Sequence, residues 1–118
     1  MPRARKCRHV CGLPQFDEFR PAEFDAESAV PVVLTVDEYE TIRLIDNEGF
    51  SQEECSEYMK VARTTVQQIY TTARKKLASA IVNGQPLTIR GGNYCLCDGQ
   101  EAHRGCASCR RYRGGRER

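Results

Sequence analysis

Residues 51–82, SQEECSEYMKVARTTVQQIYTTARKKLASAIV, carry helical periodicity on both sides of a gap only long enough for a tight turn. Two helices joined so closely must cross, and the rest of the chain has to pack around that crossing. Ser51 and Glu54 have the spacing of a capping box, in which the serine oxygen accepts a first-turn amide and the glutamate reaches back. Gly49 suits the left-handed stop of a preceding helix. Cys55, Ser56 and Met59 share one face of the first helix and Val61 sits in the turn. Val66, Ile69, Ala73 and Leu77 form the inward stripe of the second helix. Small side chains at Cys55 and Ser56 allow a close crossing.

The outward face of the second helix is Arg63, Thr64, Thr65, Gln67, Gln68, Thr71, Arg74 and Lys75. Gln can pair with an adenine edge, Arg with guanine, and Thr can meet a thymine methyl or a phosphate. The spacing predicts a helix-turn-helix that reads duplex DNA with the helix from Arg63. The plain alternative is a helical hairpin with a solvated polar face. Two positions work against a sharp turn. Lys60 stands where glycine is usual and costs roughly 1 kcal/mol if it is left-handed. Ala62 stands where a serine would cap better, a loss of about 1 kcal/mol.

A chain of 118 residues, 40% hydrophobic and without Trp, supports one small domain with a modest core. No run of 18 apolar residues is present, so no membrane span is expected. The basic N-terminus has no apolar stretch behind it, so no secretory signal is expected and the location follows as cytoplasmic. The net charge of +2 conceals a segregation. Residues 1–12 hold Arg3, Arg5, Lys6 and Arg8 and no acid; residues 13–60 hold 13 acids against 3 bases; residues 61–118 hold 11 bases against 3 acids. Basic ends around an acidic middle suit a protein that turns one face to phosphate.

The expected class is mainly α: a three-helix helix-turn-helix domain with a short β-hairpin and an extended basic N-terminal arm. The arm covers 1–31, with Arg8 to Leu13 able to form a short edge strand. The helical domain covers 32–84, with helices at about 36–47, 52–59 and 63–82. Thr35 and Glu38 form a second capping box, and Val36, Tyr39, Ile42 and Ile45 face inward. Asn83-Gly84 and Pro86 end the third helix. Leu87–Arg90, Gly91-Gly92 and Asn93–Leu96 predict the hairpin, within 85–97. Residues 98–118 form a Cys- and Arg-rich tail.

The segments PRARKCRHVCGLP, VVLTVDEYETIRLIDNEGFSQEE and RTTVQQIYTTARKKLASAIVNGQPLTIRGGNY together resemble an uncharacterised prokaryotic family, domain of unknown function 134, also called uncharacterised protein family 0251. The resemblance covers roughly residues 2–96. It implies a predicted DNA-binding protein with a helix-turn-helix like region 4 of bacterial sigma factors, and no enzymatic activity. Carried onto this chain, it places the recognition helix from Arg63 to about Leu77, with Arg63, Thr65, Gln67 and Gln68 in reading positions. Lys60, Ala62 and Thr64 depart from the Gly, Ser and Pro common there.

Seven cysteines in so short a chain exceed what packing needs. An odd count without a secretory signal argues against a disulfide framework. Cys55 belongs to the core. Cys95-x-Cys97 and Cys106-x2-Cys109, with His103 between, have the spacing of a Zn²⁺ site; an iron–sulfur cluster is the alternative cofactor. Cys7 and Cys11 can join the end of the hairpin in a different four-thiolate set. Free thiols on a tail are the plain reading.

No catalytic constellation is visible, since His9 and His103 lie far apart and Gly91-Gly92 lacks the lysine and helix of a phosphate loop. The leading functional expectation is therefore a sequence-specific DNA-binding regulator of transcription, with duplex DNA as partner. The basic arm is expected to assist, and a homodimer is an option. A metal- or redox-responsive protein-interaction module is the second reading, with RNA polymerase or another protein meeting the acidic middle. An RNA-binding protein led by the Arg-rich tail is the third.

Overall fold

The computed structural model describes residues 7–23 and 29–96. The chain is mainly α with a few short strands: β1 (His9–Val10), β2 (Glu18–Phe19), β3 (Val32–Leu34), α1 (Val36–Ile42), α2 (Gln52–Met59), α3 (Arg63–Asn83), β4 (Leu87–Ile89) and β5 (Cys95–Leu96). Both capping boxes form. The Thr35 hydroxyl accepts from the Glu38 N–H while Glu38 Oε1 accepts from the Thr35 N–H, and Ser51 and Glu54 do the same for α2. α1 runs on into a π-helical turn, Arg43–Asn47, so the single helix expected over 36–47 changes its winding midway.

Lys60 ends α2 in the left-handed conformation, φ 61°. Its N–H donates to the Ser56 carbonyl, and the Val61 N–H reaches the same oxygen at 3.1 Å. Residues 60–62 then lead directly into α3. Ala62 is extended and gives no side-chain cap, as alanine must. Gly84 closes α3 with φ 64°, a conformation that glycine adopts without a Cβ penalty.

α3, about 30 Å long at 1.5 Å per residue, serves two cores. Near its start Val66 packs with Cys11, Leu44, Cys55, Tyr58 and Met59. Further on Ala73 and Ala80 pack with Leu34, Leu87 and Ile89, flanked by Tyr39, Ile42 and Leu77. The stripe of Val66, Ile69, Ala73 and Leu77 is thus inward as its period requires, with Leu77 only half-buried.

The expected hairpin over 87–96 does not form. β4 is the centre of a three-stranded sheet, parallel to β3 (Val32↔Leu87, Leu34↔Ile89) and antiparallel to β2 (Glu18↔Thr88). β5 pairs instead with β1 in parallel, His9↔Cys95 and Val10↔Leu96. The reason lies at Gly91-Gly92. Both have positive φ, 74° and 97°. They carry the chain over the start of α1, where the Val36 N–H donates to the Gly91 carbonyl at 2.9 Å. A Cβ on Gly92 would lie 2.6 Å from Thr35 Cβ and 2.4 Å from Asp37 Oδ1. Gly92→Ala should therefore destabilise the fold by about 2–4 kcal/mol, from backbone strain and overpacking together. A urea midpoint equal to that of the parent protein would contradict this placement.

The arm is likewise less free than an extended segment. Val10 is fully buried, Cys11 is 4% exposed, and the Cys11 N–H donates to Glu40 Oε2 at 3.0 Å.

Candidate nucleic-acid interface

With Val66, Ile69, Ala73 and Ala80 buried, the 3.6-residue period turns the opposite side of α3 to solvent. Arg63, Thr64, Gln67, Gln68, Thr71, Arg74 and Lys75 are exposed, and Thr65, on the flank beside Val66, is half-buried. Thr64, Gln67, Gln68, Thr71 and Lys75 form one continuous patch by this periodicity. Arg63 and Arg74 border it on one side.

Arg74 is held in place. Its Nη1 donates to the Tyr70 hydroxyl at 3.1 Å, its guanidinium lies 5.3 Å from the Tyr70 ring centroid, and its Nε is 3.7 Å from Asp46 Oδ2. The Tyr70 hydroxyl donates to Asp46 Oδ1 at 2.7 Å, and that bond raises its pKa above the usual phenol range. The Arg74 side chain remains 62% exposed, so it can still offer a cation.

Of the arm residues, Arg8 is engaged within the fold, in an ion pair with Asp37, whose side chain is 4% exposed. Arg3, Arg5 and Lys6 lie outside the described residues.

Much of the acidic middle is also committed to internal partners. Glu38 Oε1 accepts from Lys76 Nζ at 2.7 Å, Asp46 holds Tyr70 and Arg74, and Glu48 lies 3.6 Å from Arg43. Glu40 is wholly buried and accepts from Arg43 Nε at 2.9 Å and Nη2 at 2.8 Å. Burial alone would lower the pKa of Arg43; the hydrogen bond and charge of Glu40 outweigh it and hold the guanidinium above its ordinary range. This pair escaped the sequence reading. Its one signal was an acid and a base three apart on an otherwise apolar face.

The cysteines divide into two kinds. Cys55 is fully buried and free, and burial, reinforced by the charge of Glu40, pushes its thiol up to about 12. It is chemically inert core, as its position on α2 suggested. Cys7 and Cys95 are joined in a disulfide with Cα atoms 5.6 Å apart, and Cys11 is disulfide-bonded as well. Cys97, His103, Cys106 and Cys109 lie outside the described residues. Among the described residues no three metal-ligating side chains converge. No described helix is long and apolar enough to cross a membrane.

Comparison with known proteins places the chain among relatives of unknown function. Residues 1–97 match the family described as protein of unknown function DUF134. A UPF0251 protein of Desulfitobacterium hafniense (strain DSM 10664 / DCB-2) is 56% identical over 116 residues, covering 97% of this chain and 93% of that one. A UPF0251 protein of Thermoanaerobacter pseudethanolicus is 47% identical over 106 residues, 89% of this chain and 90% of that one. One of Pelotomaculum thermopropionicum is 46% identical over 96 residues, 81% and 73% of the two chains. No solved structure matches significantly. With the family matched over all of the described residues and relatives of this similarity along most of their length, the chain belongs to the DUF134 family.

Proposed function

We propose that this protein binds duplex DNA sequence-specifically and regulates transcription, reading bases with the first half of α3 in a helix-turn-helix arrangement. The observation that carries this reading is the exposed patch of Thr64, Gln67, Gln68, Thr71 and Lys75, bordered by Arg63. The patch stands on a helix whose opposite side is locked into the core at Val66 and Ile69. A reading helix needs that combination: hydrogen-bonding side chains free of internal work, on a backbone that does not move. The uncapped first turn of α3 also leaves amide donors for a phosphate oxygen.

Within this reading Gln67 and Gln68 set sequence preference and Lys75 sets affinity. Selection of binding sites from random duplexes, using the full-length protein, tests the division. Gln67→Ala or Gln68→Ala should relax one position of the selected site at a cost of about 1–3 kcal/mol. Lys75→Ala should weaken all sequences alike and lower the salt slope by about one. A selected motif unchanged in both glutamine variants would show that this face does not read bases. Failure of the parent protein to retain any duplex at low salt, with structured RNA retained instead, would replace the reading altogether.

A further inference from the structure

Both basic ends of the chain depart from one covalent junction. Cys7 directly follows the segment with Arg3, Arg5 and Lys6, and Cys95 stands just before the stretch with Arg104, Arg110, Arg111, Arg113, Arg116 and Arg118. The Cys7–Cys95 bond joins positions 88 residues apart.

The two sides of this junction are held unequally. β1 is fixed independently of the bond: Val10 is fully buried, the Cys11 N–H donates to Glu40, and Arg8 pairs with Asp37. Among the described residues, β5 is held chiefly by β1. Its ladder is two residues long, the Cys95 N–H donates to the Arg8 carbonyl at 2.8 Å, and Leu96 is 49% exposed. A parallel pair that short does not order a strand in water without further packing. Among the described contacts, the Cys7–Cys95 disulfide is the one covalent tie of β5 to β1.

We propose that Cys7–Cys95 is a thiol–disulfide exchange site that takes a dithiol as co-substrate. Its oxidised form clamps the departure points of the basic arm and the Arg-rich tail together, and its reduced form releases β5. The consequence for nucleic-acid affinity rests on the DNA-binding reading above; the release of β5 does not.

Cys7 is exposed and Cys95 half-buried, so attack falls on the Cys7 sulfur. A thiolate of the reductant bonds to Cys7 Sγ, the Cys7–Cys95 bond breaks, and Cys95 leaves as a thiolate that takes a proton from water. The second thiol of the reductant loses its proton and attacks the mixed disulfide. Cys7 leaves and is protonated, and the reductant departs as its own disulfide, having given two electrons and two protons. The reverse exchange consumes a disulfide of the same class. The Cys11 sulfur belongs to a residue only 4% exposed and is shielded from direct attack.

Hydrogen exchange on the full-length protein, air-oxidised and then reduced with dithiothreitol under argon, tests the release. The Cys95 amide should be protected when oxidised and exchange at the unstructured rate when reduced, while circular dichroism keeps its helical signal. Cys7→Ser/Cys11→Ser should reproduce the reduced form without reductant. Oxidised protein should bind duplex DNA at least about tenfold more tightly at low salt, with a steeper salt dependence. Equal protection in both states, or loss of the helical signal on reduction, would overturn the exchange site. Altered exchange with equal affinity would overturn the clamp. Altered exchange with no DNA bound by either form would uphold the exchange site and count against the DNA-binding reading instead. Stoichiometric zinc or iron in anaerobically purified protein, removed by Cys7→Ser, would make these sulfurs metal ligands and sink the proposal.

Discussion

Replacing Glu40 with alanine is expected to cost about 3–5 kcal/mol of folding stability, among the largest effects of any single side chain here. Glu40 has no solvent exposure, and its two oxygens take both hydrogens that Arg43 aims at them and the Cys11 N–H as well. Its loss strands a guanidinium that is 5% exposed, leaving it Tyr58 and Glu48, the latter at 3.6 Å, and orphans a buried amide. A double variant, Glu40→Leu with Arg43→Met, should be much milder, because no buried charge is left behind. Urea unfolding of the two singles and the double forms a cycle whose coupling should exceed about 1 kcal/mol. A near-additive cycle would mean that Arg43 finds water or another partner in the absence of Glu40.

Full reduction of the protein is expected to lower its stability by at least about 4.5 kcal/mol, the chain-entropy value for the Cys7–Cys95 loop alone. The bond between Cys7 and Cys95 spans 88 residues, so it encloses all three helices and restricts the unfolded chain heavily. The measurement is the unfolding midpoint in denaturant with and without dithiol. Cys55 does not complicate the comparison, since a fully buried thiol pushed up to about 12 does not exchange while the protein is folded. Coincident oxidised and reduced curves would show that the bond does not constrain the chain in solution. From a stability in the usual range of about 5–15 kcal/mol, such a drop leaves a marginal native state in which β5 can detach before the helices melt.

What the sequence determined by itself is the local grammar of the helices. Thr35 with Glu38 and Ser51 with Glu54 start α1 and α2 because each motif satisfies free amides within four residues of itself. Asn83-Gly84 stops α3 because glycine takes the left-handed cap without strain. The apolar period set which face of α3 is buried, and with it which polar residues of the candidate interface are exposed. These are short-range effects, and neighbours in sequence carry all of them.

Strand pairing was different. Gly91-Gly92 between two short β-like runs read as a hairpin turn, yet β4 took β2 and β3 as partners and β5 took β1. Turn residues state that the chain can bend but not across which element it bends, and here the close approach to Thr35 and Asp37 decided it. The buried acids were hidden for a related reason. Asp37 and Glu40 carry the mark of surface helix residues until the arm delivers Arg8 and the Cys11 amide from 29 positions away. The Cys7–Cys95 contact is of the same kind. Only the tertiary structure could decide these pairings, because each depends on bringing distant segments together, and that choice belongs to the packing of the whole chain around α3.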